Sequence, residues 1–190
     1  MKHIILILCL VCTGCSVPSP EVVYIEEPLQ EDSERHVWMH DGYTFTSLAT
    51  YTIEGRVLST NTHRFGPAAK LAPLDFVLGW GNMADPNIYK KLNVVQSGRF
   101  YTYRPDEQSP NITYQQFFRS SSNTHIIPKN KDVLKQLKNI DVDQIVVLEG
   151  ALVKISGPNE FSWHSSLYRG DIGNGACELM WVDKVTVVSL

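Results

Sequence analysis

The run Gln144-Ile145-Val146-Val147-Leu148-Glu149-Gly150-Ala151-Leu152-Val153-Lys154-Ile155 is the strongest strand signal in the chain, and Gly150 sits inside it. β-branched and aliphatic residues suit a pleated surface, and a glycine within such a run belongs where a strand bulges or bends sharply. A long strand that bends belongs to a sheet that curls.

Other runs agree with a curled sheet. The pattern turns β from about Ser47. Tyr51 to Leu58 alternates, with Tyr51, Ile53 and Val57 facing inward and Glu54 and Arg56 outward. Asp75 to Trp80 is a short run of the buried type, Gly98 to Arg104 is aromatic and alternating, and Glu178 to Val188 closes the chain with another β-rich stretch. The clearest helix is Lys131 to Lys138, which puts Val133, Leu134 and Leu137 on one face after the start signals Pro128 and Asn130. A second short helix is expected from Pro86 to Lys91. Five or six strands with one or two short helices predict a mainly β fold, a small OB-like Greek-key barrel, with a β-sandwich as the alternative.

Size and charge narrow the function classes. The chain has 190 residues, 43% hydrophobic and 19% charged, which is ordinary for one globular domain. From Val37 onward 15 Lys plus Arg face 14 Asp plus Glu, so no basic face points to a nucleic-acid partner. No cofactor is implied. His36 and His40 are four apart, as two ligands on one helix face are, but only Asp41 stands near them and no metal site is expected.

The N-terminus carries an address. Lys2, an apolar run from Ile4 to Val11 and Thr13-Gly14 read as a signal peptide over residues 1–14. Gly14-Cys15 resembles the lipobox of bacterial lipoproteins, although Cys12 stands where that motif usually has Leu. The resemblance implies a lipidated Cys15 as first mature residue and a membrane partner through that anchor. An ordinary cleaved signal and an uncleaved anchor remain alternatives. Ser16 after the cysteine implies the outer membrane, facing the periplasm. With Cys9 and Cys12 in the leader, Cys177 is the one free thiol, and no intrachain disulfide is expected. Residues 15–46 read as an acidic, proline-containing tether: Ser16 to His36 holds three prolines and six acids against the single base Arg35. Within it, only Val22 to Ile25 has the character to pair as a strand. The β-rich domain is then expected over residues 47–190.

Four segments carry a second resemblance: Gly79-Trp80-Gly81, Ser97-Gly98-Arg99-Phe100, Asn123-Thr124-His125-Ile126-Ile127-Pro128, and Ser165 through Glu178. The chain from about Tyr51 onward resembles a family of uncharacterised proteobacterial envelope proteins that share these patterns. It departs from them at Asn82 and Ala84, where Pro and Ser are usual, and at Ile172, where Thr is usual. The resemblance implies one shared fold and no particular activity.

The densest polar and aromatic stretch is Trp163 to Val182. Asp171 to Gly175 reads as a tight loop in which Gly173 and Gly175 supply positive φ while Asp171 and Asn174 cap amides. It is either a connecting turn pinned by Arg169 with Asp171 or Glu178, or an anion- or sugar-holding loop with Arg169 as donor and Arg99 joining from another strand. Cys177 with His125, His164, Asp171 and Glu178 can be assembled into a nucleophile, base and orienter. Cys177 opens a strand-like run, however, and reads better as a small core residue, and no Gly-x-Ser-x-Gly elbow accompanies Ser165. Among the aromatics, Trp80 between two glycines is the best candidate for an exposed ring. Trp80, Arg99, His125, Arg169, Asp171 and Glu178 are therefore the candidate binding residues. The expected function is a non-enzymatic, outer-membrane-anchored module that binds an envelope protein or glycan. The alternatives are a structural subunit of a secretion or pilus assembly and an envelope-polymer hydrolase using Cys177 and His125.

Overall fold

The computed structural model describes residues 22–188 except 172 and 174. The signal peptide, Cys15, the start of the tether, Ile172 and Asn174 lie outside the described residues.

In chain order the elements are β1 (Leu29–Asp32), β2 (Val37–His40), β3 (Tyr43–Thr62), α1 (Pro67–Leu71), β4 (Leu74–Gly79), α2 (Pro86–Leu92), β5 (Val94–Ser97), β6 (Phe100–Tyr103), α3 (Tyr114–Arg119), β7 (Ser121–Pro128), α4 (Lys131–Leu137), β8 (Ile145–Ser156), β9 (Ser162–His164) and β10 (Glu178–Val188). Strands β3, β4, β7, β10 and β8 follow one another around a ring, and β8 pairs with β3 to close it. All neighbours run antiparallel except β7 and β10, which are parallel, so α4 follows β7 as a crossover before β8. The fold is mainly β, as the OB-like barrel reading expected.

One strand makes closure possible. β3 is 20 residues long, pairing over Thr44 to Arg56 with β8 and over Arg56 to Thr62 with β4. Register shifts between Ser47 and Ala49 and between Val57 and Ser59 kink it toward both partners. Gly150 has its own reason. The register of β10 slips between Val182 and Lys184 opposite it, and a Cβ on Gly150 would stand 1.9 Å from the Trp181 carbonyl oxygen. Only a glycine lets the two backbones approach so closely.

The barrel interior is filled by Ile53, Val57, Leu78, Ile126, Leu148, Leu152, Met180 and Val182, and α4 adds Val133 and Leu137 to this cluster. Asn130 starts that helix by accepting from the amides of Asp132 and Val133. Between β4 and β7 the chain makes a long insertion: a 3-10 turn (Gly81–Ala84), α2, the β5–β6 hairpin and α3. It has a core of its own, in which Leu58 and Val77 of the barrel meet Met83, Tyr89, Leu92, Tyr103 and Phe117.

Four expectations need correction. The described part of the tether is not free chain: β1 and β2 both pair with β3, and the Ile25 side chain is buried in the barrel core. Its acids face solvent, and so do Val22, Tyr24 and Leu29, but Ile25 is buried and β1 and β2 hydrogen-bond to β3, so a high acid count did not prevent docking. The domain therefore begins well before residue 47. Arg56 points inward, fully buried, with Nε on the Ala84 carbonyl at 2.7 Å and Nη1 on the Asp143 carbonyl at 2.8 Å. Among the described residues the helices number four, not one or two, because α1 and α3 are too short to show a periodicity. His36 and His40 flank or end a strand rather than sharing a helix face.

Candidate functional site

β7 starts with Ser121-Ser122-Asn123-Thr124-His125, five polar residues that are all buried. Polar groups on a central strand need cover that can hydrogen-bond, and two segments supply it. On one side lies the insertion. On the other, the chain between β9 and β10 folds back over the strand ends, with positive φ at Gly170, Gly173 and Gly175. A cavity of ≈260 Å³ remains between these walls. Trp80, Phe100, Tyr101, Tyr114 and Phe118 make its aromatic side, while Arg169, Asp171, Cys177 and Glu178 make its polar side. The aromatic side is built by α3, which a Thr113–Gln116 capping box starts and whose rings meet the hairpin: Tyr101 and Phe118 centroids are 5.4 Å apart, Tyr103 and Tyr114 5.0 Å.

Glu178 is the chemical centre of this cavity. It opens β10 in register with Thr124, only 7% exposed, and its Oε2 has no hydrogen-bond partner among the described residues. Burial raises its carboxyl to about 7, against the pull of its own backbone amide and the Ser122 hydroxyl; Asp171 adds to the rise and Arg169 opposes it. Trp80 Nε1 is likewise buried without a partner among the described residues, while the buried Tyr51 hydroxyl lies against the Arg169 guanidinium. The Tyr51 phenol is held well above its ordinary value by burial, then by the Glu178 charge, while the charge of Arg169 and a hydrogen bond from it act the other way. Cys177, next in line, is half-buried, its Sγ 3.7 Å from the Arg99 carbonyl and 3.9 Å from Asn123 Nδ2. Burial, then Glu178, pushes its thiol up to about 11.

A second polar cluster sits two strands away. Asp75 on β4 is fully buried; its Oδ1 takes Arg99 Nη1 at 2.8 Å and its Oδ2 lies 2.8 Å from His63 Nε2. His125, its cross-strand neighbour, brings Nδ1 to 3.0 Å of Oδ1 without the alignment of a hydrogen bond. Arg99 also donates to the Ala72 carbonyl and stacks over Trp163 at 4.9 Å. Ser59, Gln96, Asn123 and the Arg99 carbonyl continue the chain of hydrogen bonds, which fastens the β5–β6 hairpin to the barrel.

The sequence candidates thus divide. Trp80, Arg169, Asp171, Glu178 and Cys177 do come together around the cavity. Trp80 is not an exposed ring; it is 2% exposed and part of the barrel core. Arg169 pairs with neither Asp171 nor Glu178. It donates to Glu27 Oε2 at 2.9 Å and to the Pro28 carbonyl, so it pins the N-terminal segment, while Asp171 accepts from Ser166 Oγ at 2.6 Å. Arg99 and His125 belong to the Asp75 cluster. His164 lies cross-strand from Lys154 and shares a shallow groove with His125 and Cys177, but no hydrogen bond joins the thiol to either imidazole among the described residues. Sequence reasoning missed Asp75, although a lone acid inside Leu74-Asp75-Phe76-Val77-Leu78 is a signal that a buried partner exists. It also missed Tyr51 as a polar group and Glu27 as a partner, for which no local signal exists.

No cluster of His, Cys, Asp and Glu suited to a metal occurs among the described residues, and none of their helices is long and apolar enough to cross a membrane. Comparison with protein-family models, curated proteins and solved structures finds no match.

Proposed function

We propose that the chain is a non-enzymatic binding module, held to a bacterial outer membrane by lipid on Cys15, that takes part of an envelope protein or glycan into the cavity at Glu178. One observation carries the reading: Trp80 and Glu178 both line the cavity, and each keeps a buried polar atom without a partner among the described residues. Such atoms cost stability in the free protein and are kept where a ligand meets them. The Cys177 thiol, pushed up to about 11, is protonated at neutral pH and a poor nucleophile, which speaks against the hydrolase alternative.

The test uses the full-length lipidated protein in detergent. It should be retained on an immobilised envelope extract, and Ala176→Trp, which sets an indole on the cavity wall, should abolish retention without lowering Tm. Equal retention of the variant overturns the reading.

A further inference from the structure

The chemistry of the cavity narrows what it takes, on the premise of the binding reading above. The unpartnered atoms of its walls are an N–H donor, Trp80 Nε1, and an acceptor, Glu178 Oε2. An ammonium group brings hydrogens alone and leaves the indole N–H unmet. A carboxylate or phosphate brings lone pairs alone and would face two carboxyls, Glu178 and Asp171. Hydroxyls and amides bring both, and a molecule carrying several of them meets both atoms at once.

The rest of the wall agrees. Phe100 and Tyr114 are 51% and 58% exposed at the cavity, a large apolar area for solvent to cover. Flat C–H surfaces pack well on such rings. At ≈260 Å³ the cavity falls just below the ~300–1,000 Å³ of pockets that enclose drug-sized ligands, so it admits one ring and not a long chain.

We propose that this cavity binds a single neutral sugar ring of a glycan, a hexose or N-acetylhexosamine. Its hydroxyl or N-acetyl groups meet Trp80 Nε1 and Glu178 Oε2, and its apolar face lies against Phe100 or Tyr114.

The indole N–H resonance of Trp80 reports on this directly, assigned by its loss in Trp80→Phe. Full-length lipidated protein in micelles is titrated separately with glucose, N-acetylglucosamine, ethylammonium chloride and sodium acetate. One of the two sugars should shift the Trp80 N–H with saturation, and the two ions should not. Glu178→Met should weaken the sugar by roughly tenfold or more, the loss of one hydrogen bond to a carboxylate. Tyr114→Ala, at an exposed position that does not threaten the fold, should weaken it about two- to tenfold. A saturating shift with ethylammonium or acetate, or none with either sugar, overturns the proposal. If retention on envelope extract survives such a result, only the sugar assignment fails; if retention is absent too, the binding reading itself fails.

Discussion

Asp75 and Glu178 are buried carboxyls on the two strands that flank β7, opposite the adjacent residues His125 and Thr124. Their surroundings differ completely. Asp75 is held by Arg99 and His63, both at 2.8 Å, with His125 close by. Glu178 keeps an oxygen with no partner, and the nearest guanidinium, Arg169, is committed to Glu27 and Pro28. Taking a charge out of water costs several kcal/mol, and partners offset it. One carboxyl is thus saturated and fastens the insertion to the barrel. The other is left short beside a cavity, as a group kept for a ligand is.

The contrast can be broken most forcefully at Asp75. Asp75→Asn leaves Arg99 and His63 without their anion in a buried site and should cost about 3–5 kcal/mol in urea unfolding. A loss below ~1 kcal/mol would remove the structural role assigned to this cluster. Arg169→Ala is the milder counterpart. Its partner Glu27 is 71% exposed and that ion pair contributes little, so losing the Pro28 bond as well should cost about 1 kcal/mol, a fall of roughly 2–4 °C in Tm. A fall as large as that of Asp75→Asn would put Arg169 among the structural groups. The smallest effect sharpens the comparison from between the two sites. Cys177 should react slowly with iodoacetamide in the native protein at pH 8, and Glu178→Gln should speed it severalfold, because Glu178 is the largest charge holding the thiol up. An unchanged rate would mean that the carboxyl does not reach the thiol.

The sequence disclosed the barrel because its signals are local. The run around Gly150, the helix capped by Asn130 and the closing strand from Glu178 each carry a periodicity that burial enforces. The cavity was half legible. Arg169, Asp171, Cys177 and Glu178 lie within ten residues of one another, and the Trp80 glycines advertised a special site. Which of them pair was not legible, because the partners come from far along the chain. Arg169 meets Glu27, 142 residues away, and Asp75 meets Arg99, 24 residues on at the β5–β6 turn. Composition misled in the tether, where six acids outweighed Ile25 in the count but not in the packing.

The measurement that tests the account most directly is stability against pH for the wild type and Glu178→Gln. The Glu178 carboxyl is raised from its ordinary 4.5 to about 7 in the folded protein. Between those values the folded chain holds a proton that the unfolded chain has released, so stability is fully present below about 4.5 and falls as pH rises through 7. The full fall is at most about 3 kcal/mol. Every other ionisable group is common to the two proteins, so their difference isolates Glu178. Urea midpoints from pH 5 to 8 should decline for the wild type and decline much less for Glu178→Gln, the variant gaining on the wild type at each step. Parallel curves over that range would show that Glu178 is solvated or fully paired, and would contradict the claim that it is a buried carboxyl with one oxygen left without a partner.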